Sequence, residues 1–344
     1  MACEQQQFTS RTIATVSASD SFTPTPQLWP DEKPYPAHLG SYDYGPTILF
    51  DTSDSKWKSW WCGTDNATGN RDSIWHSWTY DRINWSAPQE VFKSSGGASF
   101  DGYHVCDPSV LKNVAIGGTT YNYVMYYTGG PYSANTDNDG KIGIAVSSNG
   151  TSWTRLSGPL NLNCTSSSSL GCQHFRIIKI PNDRFVAVYT QVKNNSTDAV
   201  YNVESWDGVN WTGPNNEITP KRLCFENYQG GCHATPGVDI MYDPSGYQGY
   251  LFTFTAFGHE KLYKADATWF GTLGGNPTTL IADFWYPGPS GNGTFGPGFH
   301  RTENGFRPEN QDIFSTTGNR NPHDFPQHEV ELIQIRWTHL HINN

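Results

Sequence analysis

Asn149-Gly-Thr-Ser-Trp153 decides the fold of this chain, because the phrase returns as Asp207-Gly-Val-Asn-Trp211 and, without its glycine, as Asp81-Arg-Ile-Asn-Trp85. Each time a turn residue stands four positions ahead of an indole. Asp, Asn and Gly favour tight turns, and the Trp plugs the turn with apolar area. Two worn copies, Asp266-Ala-Thr-Trp269 and Ile333-Gln-Ile-Arg-Trp337, extend the series, so the five indoles follow at intervals of 68, 58, 58 and 68 residues. Such regularity marks an internal repeat.

Working outward from each Trp, short runs rich in Val, Ile and aromatics recur in threes, separated by Gly, Asn, Asp and Pro. The first group is Pro46–Phe50, Trp57–Trp61 and Ser73–Trp78, and the second Pro108–Leu111, Tyr121–Tyr127 and Lys141–Val146. The third is Phe175–Ile180, Arg184–Tyr189 and Val200–Val203, and the fourth Gly237–Tyr242, Tyr250–Phe254 and Lys261–Lys264. These are strands joined by hairpins, and no long helical period is present. One such sheet cannot bury both faces, but neighbouring blades can. The pattern therefore predicts an all-β, five-bladed β-propeller.

The fifth blade is the poorest, because residues 281 to 330 are rich in Gly, Pro and Asn and offer few clean strands before Glu329–Ile335. An N-terminal run around Arg11–Val16 is expected to complete it and so remove an open sheet edge. The 344 residues read as one domain, 1–344, with about ten N-terminal residues as a flexible tether.

Net charge −10 without a basic cluster excludes nucleic acid as a partner. No stretch is apolar enough to span a membrane as a helix, and a monomer is expected. Cysteines form matched loops, Cys164 to Cys172 and Cys224 to Cys232, each leading into the first strand of its blade, while Cys62 and Cys106 are placed to staple neighbouring blades. Disulfides imply an oxidising compartment. No complete signal peptide is present, so a leader is expected to have been removed. Ala2-Cys3-Glu4-Gln5 suits a lipoprotein anchored through Cys3, whereas eight Asn-X-Ser/Thr sequons suit a eukaryotic secreted protein. Both place the chain outside the cell.

His104-Val-Cys-Asp107-Pro-Ser-Val-Leu111, followed by Tyr123-Val-Met-Tyr-Tyr-Thr-Gly129 and closed by Asn149–Trp153, resembles a blade of the five-bladed glycoside hydrolases: family 43 and its relatives in families 32, 62, 117 and 130. The resemblance is good in the second blade, fair in the first, third and fourth, and weak elsewhere. It implies carboxylates at the start of three innermost strands, around the central channel. Physical chemistry asks for the same, because glycosidic cleavage needs one carboxyl to protonate the leaving oxygen and one carboxylate to activate water or attack carbon. Asp107 falls on the family's Asp-Pro position, where the resemblance implies that it tunes the acid. In the first blade the matching phase is Gly45-Pro46, so the base would be Asp43. In the third it is Gln173-His174, and an amide cannot deliver a proton. Glu226 is the best acid candidate, with Glu204, Glu309, His174 and His233 as alternatives.

His104, His174 and His233 recur just ahead of the first strands of blades two to four, as residues of a polar channel mouth would. With Gln173, Tyr103 and Arg307 they form the expected substrate contacts. Trp60, Trp61, Trp75 and Trp78 lie at strand spacing and are expected in the core, with loops near Tyr35, Tyr103 and Tyr132 reaching the mouth. No His-x-x-x-His spacing suggests a metal. No cofactor is expected, a calcium at the channel axis being suggested by analogy alone. The expected function is a secreted glycoside hydrolase acting on a polysaccharide or oligosaccharide, the alternative a noncatalytic carbohydrate-binding propeller. A sialidase is disfavoured, since its arginine spread and Tyr-plus-Glu pattern are not evident.

Overall fold

A computed structural model of the chain describes residues 15–17, 43–64, 71–131 except 83, 140–162, 169–193 except 182, 199–213, 221–223, 227–228, 231–232, 237–243, 249–256, 259–266, 279–285, 294–308, 313–320 and 333–343. Among these there is no helix. Strand β1 (Thr15–Ser17) precedes the first sheet, which comprises β2 (Asp43–Asp51), β3 (Lys56–Thr64), β4 (Asp72–Thr79) and β5 (Gln89–Phe92). The second holds β6 (His104–Ile116), β7 (Thr119–Gly130), β8 (Lys141–Ser147) and β9 (Trp153–Ser157). The third holds β10 (Ser169–Lys179), β11 (Phe185–Lys193), β12 (Ala199–Ser205) and β13 (Lys221–Leu223), and a hairpin of β14 (Asn227–Tyr228) and β15 (Gly231–Cys232) follows. The fourth holds β16 (Val238–Asp243), β17 (Gly249–Ala256), β18 (His259–Asp266) and β19 (Thr279–Trp285), and the last β20 (Thr294–Thr302), β21 (Ile313–Arg320) and β22 (Ile333–Asn343).

Within each group the strands follow one another as an antiparallel meander, the first and last groups being joined through β2 and β20, and the chain is a five-bladed β-propeller. The first strands β2, β6, β10, β16 and β20 neighbour one another in that order. β20 also pairs with β2 in parallel register, Ile48 opposite His300 and Phe50 opposite Thr302. β1 pairs in parallel with β22, Thr15 opposite His341, so an N-terminal strand does join the last sheet. One expectation is corrected. The stretch that seemed short of strands carries both β20 and β21, with Gly296 and Pro297 at an irregularity in the β20–β21 register between Phe295 and Gly298. Glycine and proline there mark a bulge rather than the absence of a strand.

In the first three sheets the repeated phrase forms the turn after the third strand, whereas residues 333–337 lie inside β22 and residues 267–269 outside the described residues. Oδ1 of Asp207 accepts from the backbone N–H of Val209 at 2.8 Å and of Asn210 at 2.7 Å, while the Ser205 hydroxyl accepts from Gly208 N–H at 2.9 Å. Asn149 with Ser147, and Asp81 with Thr79, repeat the arrangement. Gly208 is required: its φ is +72°, and a Cβ there would lie 2.4 Å from Ile116 Cδ1. The indoles then reach into seams between sheets. Trp211 meets Phe175 edge-on at 5.0 Å, and Trp153 meets Trp60 edge-on at 6.3 Å. Trp60, Trp61 and Trp75 are buried, as expected of core residues.

Candidate functional site

The same one-residue bulge opens four of the five first strands. On β6, Cys106 and Ser109 face Thr128 and Tyr126, so three steps on one strand match two on the other. β2 slips likewise between Tyr44 and Thr47, and β10 between Gln173 and Arg176. The bulged residues Gly45, Asp107 and His174 all take left-handed backbone, with φ of +59°, +50° and +51°. For glycine this conformation is free, whereas for Asp and His it costs about 1–2 kcal/mol each. Bulges re-aim side chains, and backbone strain held in place by its surroundings clusters where chemistry is done.

Here the bulges bring Asp107 against His174. Nδ1 of His174 lies 3.0 Å from Asp107 Oδ1, within ion-pair distance though off the line of a straight hydrogen bond, and the His174 backbone N–H donates to Oδ2 at 3.2 Å. Both side chains are almost fully enclosed, 4% exposed each. Burial pushes the Asp107 carboxyl up, but the charge and close approach of His174, followed by the charge of Arg176, outweigh it and hold the pKa at about 2. Asp107 is therefore an ionised carboxylate, unable to supply a proton. The disulfide Cys62–Cys106 staples β3 to β6 one residue before it, and Cys106 Sγ lies 3.5 Å from Asp107 Oδ1.

Two buried arginines, which the sequence reading missed, organise the strands around this pair. Arg176 donates through Nη1 to the Pro108 carbonyl at 2.6 Å and through Nη2 to the Gly45 carbonyl at 3.0 Å. Arg301 touches all four other first strands. It contacts the Thr47 hydroxyl at 2.7 Å, the Ser109 hydroxyl at 3.3 Å, the Ile177 carbonyl at 3.4 Å, and the Asp239 carboxylate and Ile240 carbonyl at 3.3 and 3.1 Å. A side chain that reaches every first strand occupies the axis. The available signal was an arginine inside an otherwise apolar inner strand, in Phe175-Arg-Ile-Ile and Phe299-His-Arg.

The remaining predicted residues fall in several places. Asp43 begins β2, two residues before Gly45, and its side chain lies outside the described residues. His104 sits three residues before Asp107 on β6, with its Nδ1 3.4 Å from Asp72 Oδ2 and its ring edge-on to Tyr103 at 4.2 Å. Gln173 lies against the seam with the second sheet, where a Cβ on Gly140 would meet its Cγ at 3.1 Å. Glu226, His233 and Glu309, together with Cys164 and Cys224, are outside the described residues, whereas Cys172 is disulfide-bonded. Glu204 pairs with Arg184 at 2.7 Å near the far end of β11, away from Asp107. Arg307 is corrected: it pairs with Asp243 at 2.8 Å, at the far end of β16, so it belongs to the opposite face of the ring.

Cys62, Asp72 and Cys106 are the one His, Cys, Asp or Glu cluster among the described residues close enough to hold a metal. The two cysteines are bonded to each other, which removes their thiolates as ligands. No described helix is long and apolar enough to cross a membrane.

No known family profile matches the sequence, and no curated protein matches it. Solved structures do match the fold. A family 117 glycoside hydrolase from the marine bacterium Zobellia galactanivorans superposes with a TM-score of 0.58 at 11% identity, over 89% of this chain and 87% of that one. A thermostable family-43 glycoside hydrolase gives 0.58 at 13%, over 90% and 93%. The α-L-arabinofuranosidase PaAbf62A from Podospora anserina, solved with cellotriose, gives 0.55 at 11%, over 94% and 95%. At such identity the likeness is one of fold, and the chain shares nearly its whole length with the five-bladed propellers of glycoside hydrolases.

Proposed function

We propose that the chain is an extracellular glycoside hydrolase acting on a polysaccharide or oligosaccharide at the end of the axis where Asp107 and His174 meet. That contact, made at the leading end of the innermost strands on two left-handed bulges, carries the reading. Imidazole serves as a general acid near neutrality. His174 gives its proton to the leaving oxygen, and ionised Asp107 orients the ring. Asp43, at the start of the neighbouring first strand, is the proposed base that activates water, and Glu226 is the alternative acid. Tyr103, His104 and Gln173 border the same end and supply sugar contacts. The disulfides at Cys62–Cys106 and Cys172 support a location outside the reducing cytosol.

The proposed chemistry needs no cofactor. A calcium at the level of Arg301 would meet a guanidinium rather than the oxygen cage it requires, so the residues present there do not fit it.

A second reading, a carbohydrate-binding propeller without turnover, is favoured by one observation. Of the three left-handed bulge residues only Asp107 is acidic, Gly45 and His174 being the others. A panel of aryl glycosides and polysaccharides decides. Turnover lost in both Asp107→Asn and His174→Gln supports the hydrolase; saturable binding without turnover by the unaltered protein supports the second reading and overturns the first.

A further inference from the structure

We propose that Arg176 is the positioning residue of the Asp107–His174 pair, its guanidinium fixing the two backbone bulges on which the pair's geometry depends. The inference rests on the hydrolase reading for what the pair does, and not for how the pair is held.

Arg176 follows His174 by two residues and is fully buried. One arm of its fork takes the carbonyl of Pro108, the residue after Asp107, at 2.6 Å; the other takes the carbonyl of Gly45 at 3.0 Å. A single planar group on the third sheet thus ties the bulges of the first and second. All three left-handed residues, Gly45, Asp107 and His174, lie within one residue of this fork or of its own bulge. They also converge in space. A Cβ added to Gly45 would stand 3.3 Å from Arg176 Nη2 and 3.3 Å from Asp107 Oδ1. The strained turn at Asp107 needs an outside constraint, because its own backbone conformation is unfavourable.

A guanidinium suits this role and an ammonium does not. Its donors lie in a rigid plane and reach two carbonyls at once, whereas lysine offers a point charge on a flexible stem. Its charge also balances the buried Asp107 carboxylate, so that neither is left alone in a dry site. Asp107 and His174 come from different sheets, so their separation is set by how the bulges are tied together. A shift of about 1 Å in such a pair suffices to cost about 100-fold in turnover.

The test is Arg176→Lys, which keeps the charge and loses the fork, read by ¹H–¹⁵N spectra of the histidine rings, with the His174 signals identified by their absence from His174→Gln. The expected result is a folded protein whose His174 ring signals are displaced and whose kcat falls about 100-fold with KM changed less than about twofold. His174 signals that overlay those of the unaltered protein, in a folded Arg176→Lys, overturn the proposal. If that variant does not fold, Gly45→Ala decides, because it pushes a methyl group between Arg176 and Asp107 while retaining both. Displaced His174 signals in Gly45→Ala support the role, and unaltered ones overturn it. The ring spectra do not depend on turnover, so a protein that hydrolyses nothing sinks the hydrolase reading while this test still gives its own answer.

Discussion

The Arg301 guanidinium on β20 donates to the Thr47 hydroxyl on β2 across 2.7 Å, joining residues 254 positions apart in sequence. The same side chain faces Asp239, whose second oxygen accepts from Phe299 N–H at 2.7 Å. A charged pair fully removed from water is tolerable only while both members are present, since each compensates the other's lost hydration. Arg301→Met is therefore expected to destabilise the fold by about 3 kcal/mol or more, by stranding the Asp239 carboxylate. Denaturant unfolding measures it. A loss below about 1 kcal/mol would show that the ring does not depend on its axial charge.

Asp107→Asn tests the candidate site while keeping the shape of its backbone. Asn tolerates the left-handed backbone nearly as well as Asp, so the bulge survives while the carboxylate charge is removed. Any turnover on the glycoside panel is expected to fall by at least about 100-fold, and the folded protein at neutral pH to lose on the order of 2 kcal/mol as the buried charge is removed. Retained turnover would exclude Asp107 from the chemistry.

Acid stability carries the same residue's signature. Asp107 titrates at about 2 in the folded chain, below its ordinary value of 3.8. Its contribution to stability is full above the ordinary value and is lost as the pH falls through the folded one. Between about pH 5 and about pH 2 the unaltered protein is expected to lose on the order of 2 kcal/mol that Asp107→Asn does not lose. Urea titrations at the two pH values, compared between the two proteins, provide the difference, since other carboxylates contribute equally to both. Equal losses would contradict the ionised, buried carboxylate.

The Cys62–Cys106 bridge spans 44 residues. Closing a loop of that length restricts the unfolded chain, which on the chain-entropy account is worth about 4 kcal/mol. Cys62→Ala/Cys106→Ala is expected to unfold at clearly lower denaturant than the bridged protein, by up to that amount. Because the bridge lies one residue from Asp107, the His174 ring signals should also broaden or move. A double variant as stable as the parent would remove the staple from the account.

The sequence by itself determined the strand order, the five repeated units and the staple between Cys62 and Cys106, because alternation, turn residues and cysteine phase are local or periodic signals. It also placed Asp107 at the start of an innermost strand, through the phase of Asp107-Pro108 within its repeat. In the last sheet the local signal misled: Gly296 and Pro297 looked like the absence of a strand and instead form its bulge. Only the tertiary structure decided which residues meet at the axis. His174 lies 67 residues from Asp107, and their contact depends on two separate bulges having the same register. Arg176 and Arg301 carry no local signal of their partners, which are carbonyls and hydroxyls from other sheets. Arg307 looked like a ligand contact until the direction of β16 put it on the opposite face. The physical reason is common to all of these. A strand's pattern says which side of a sheet a residue occupies, but which distant strand faces it is settled only when the sheets arrange around one axis.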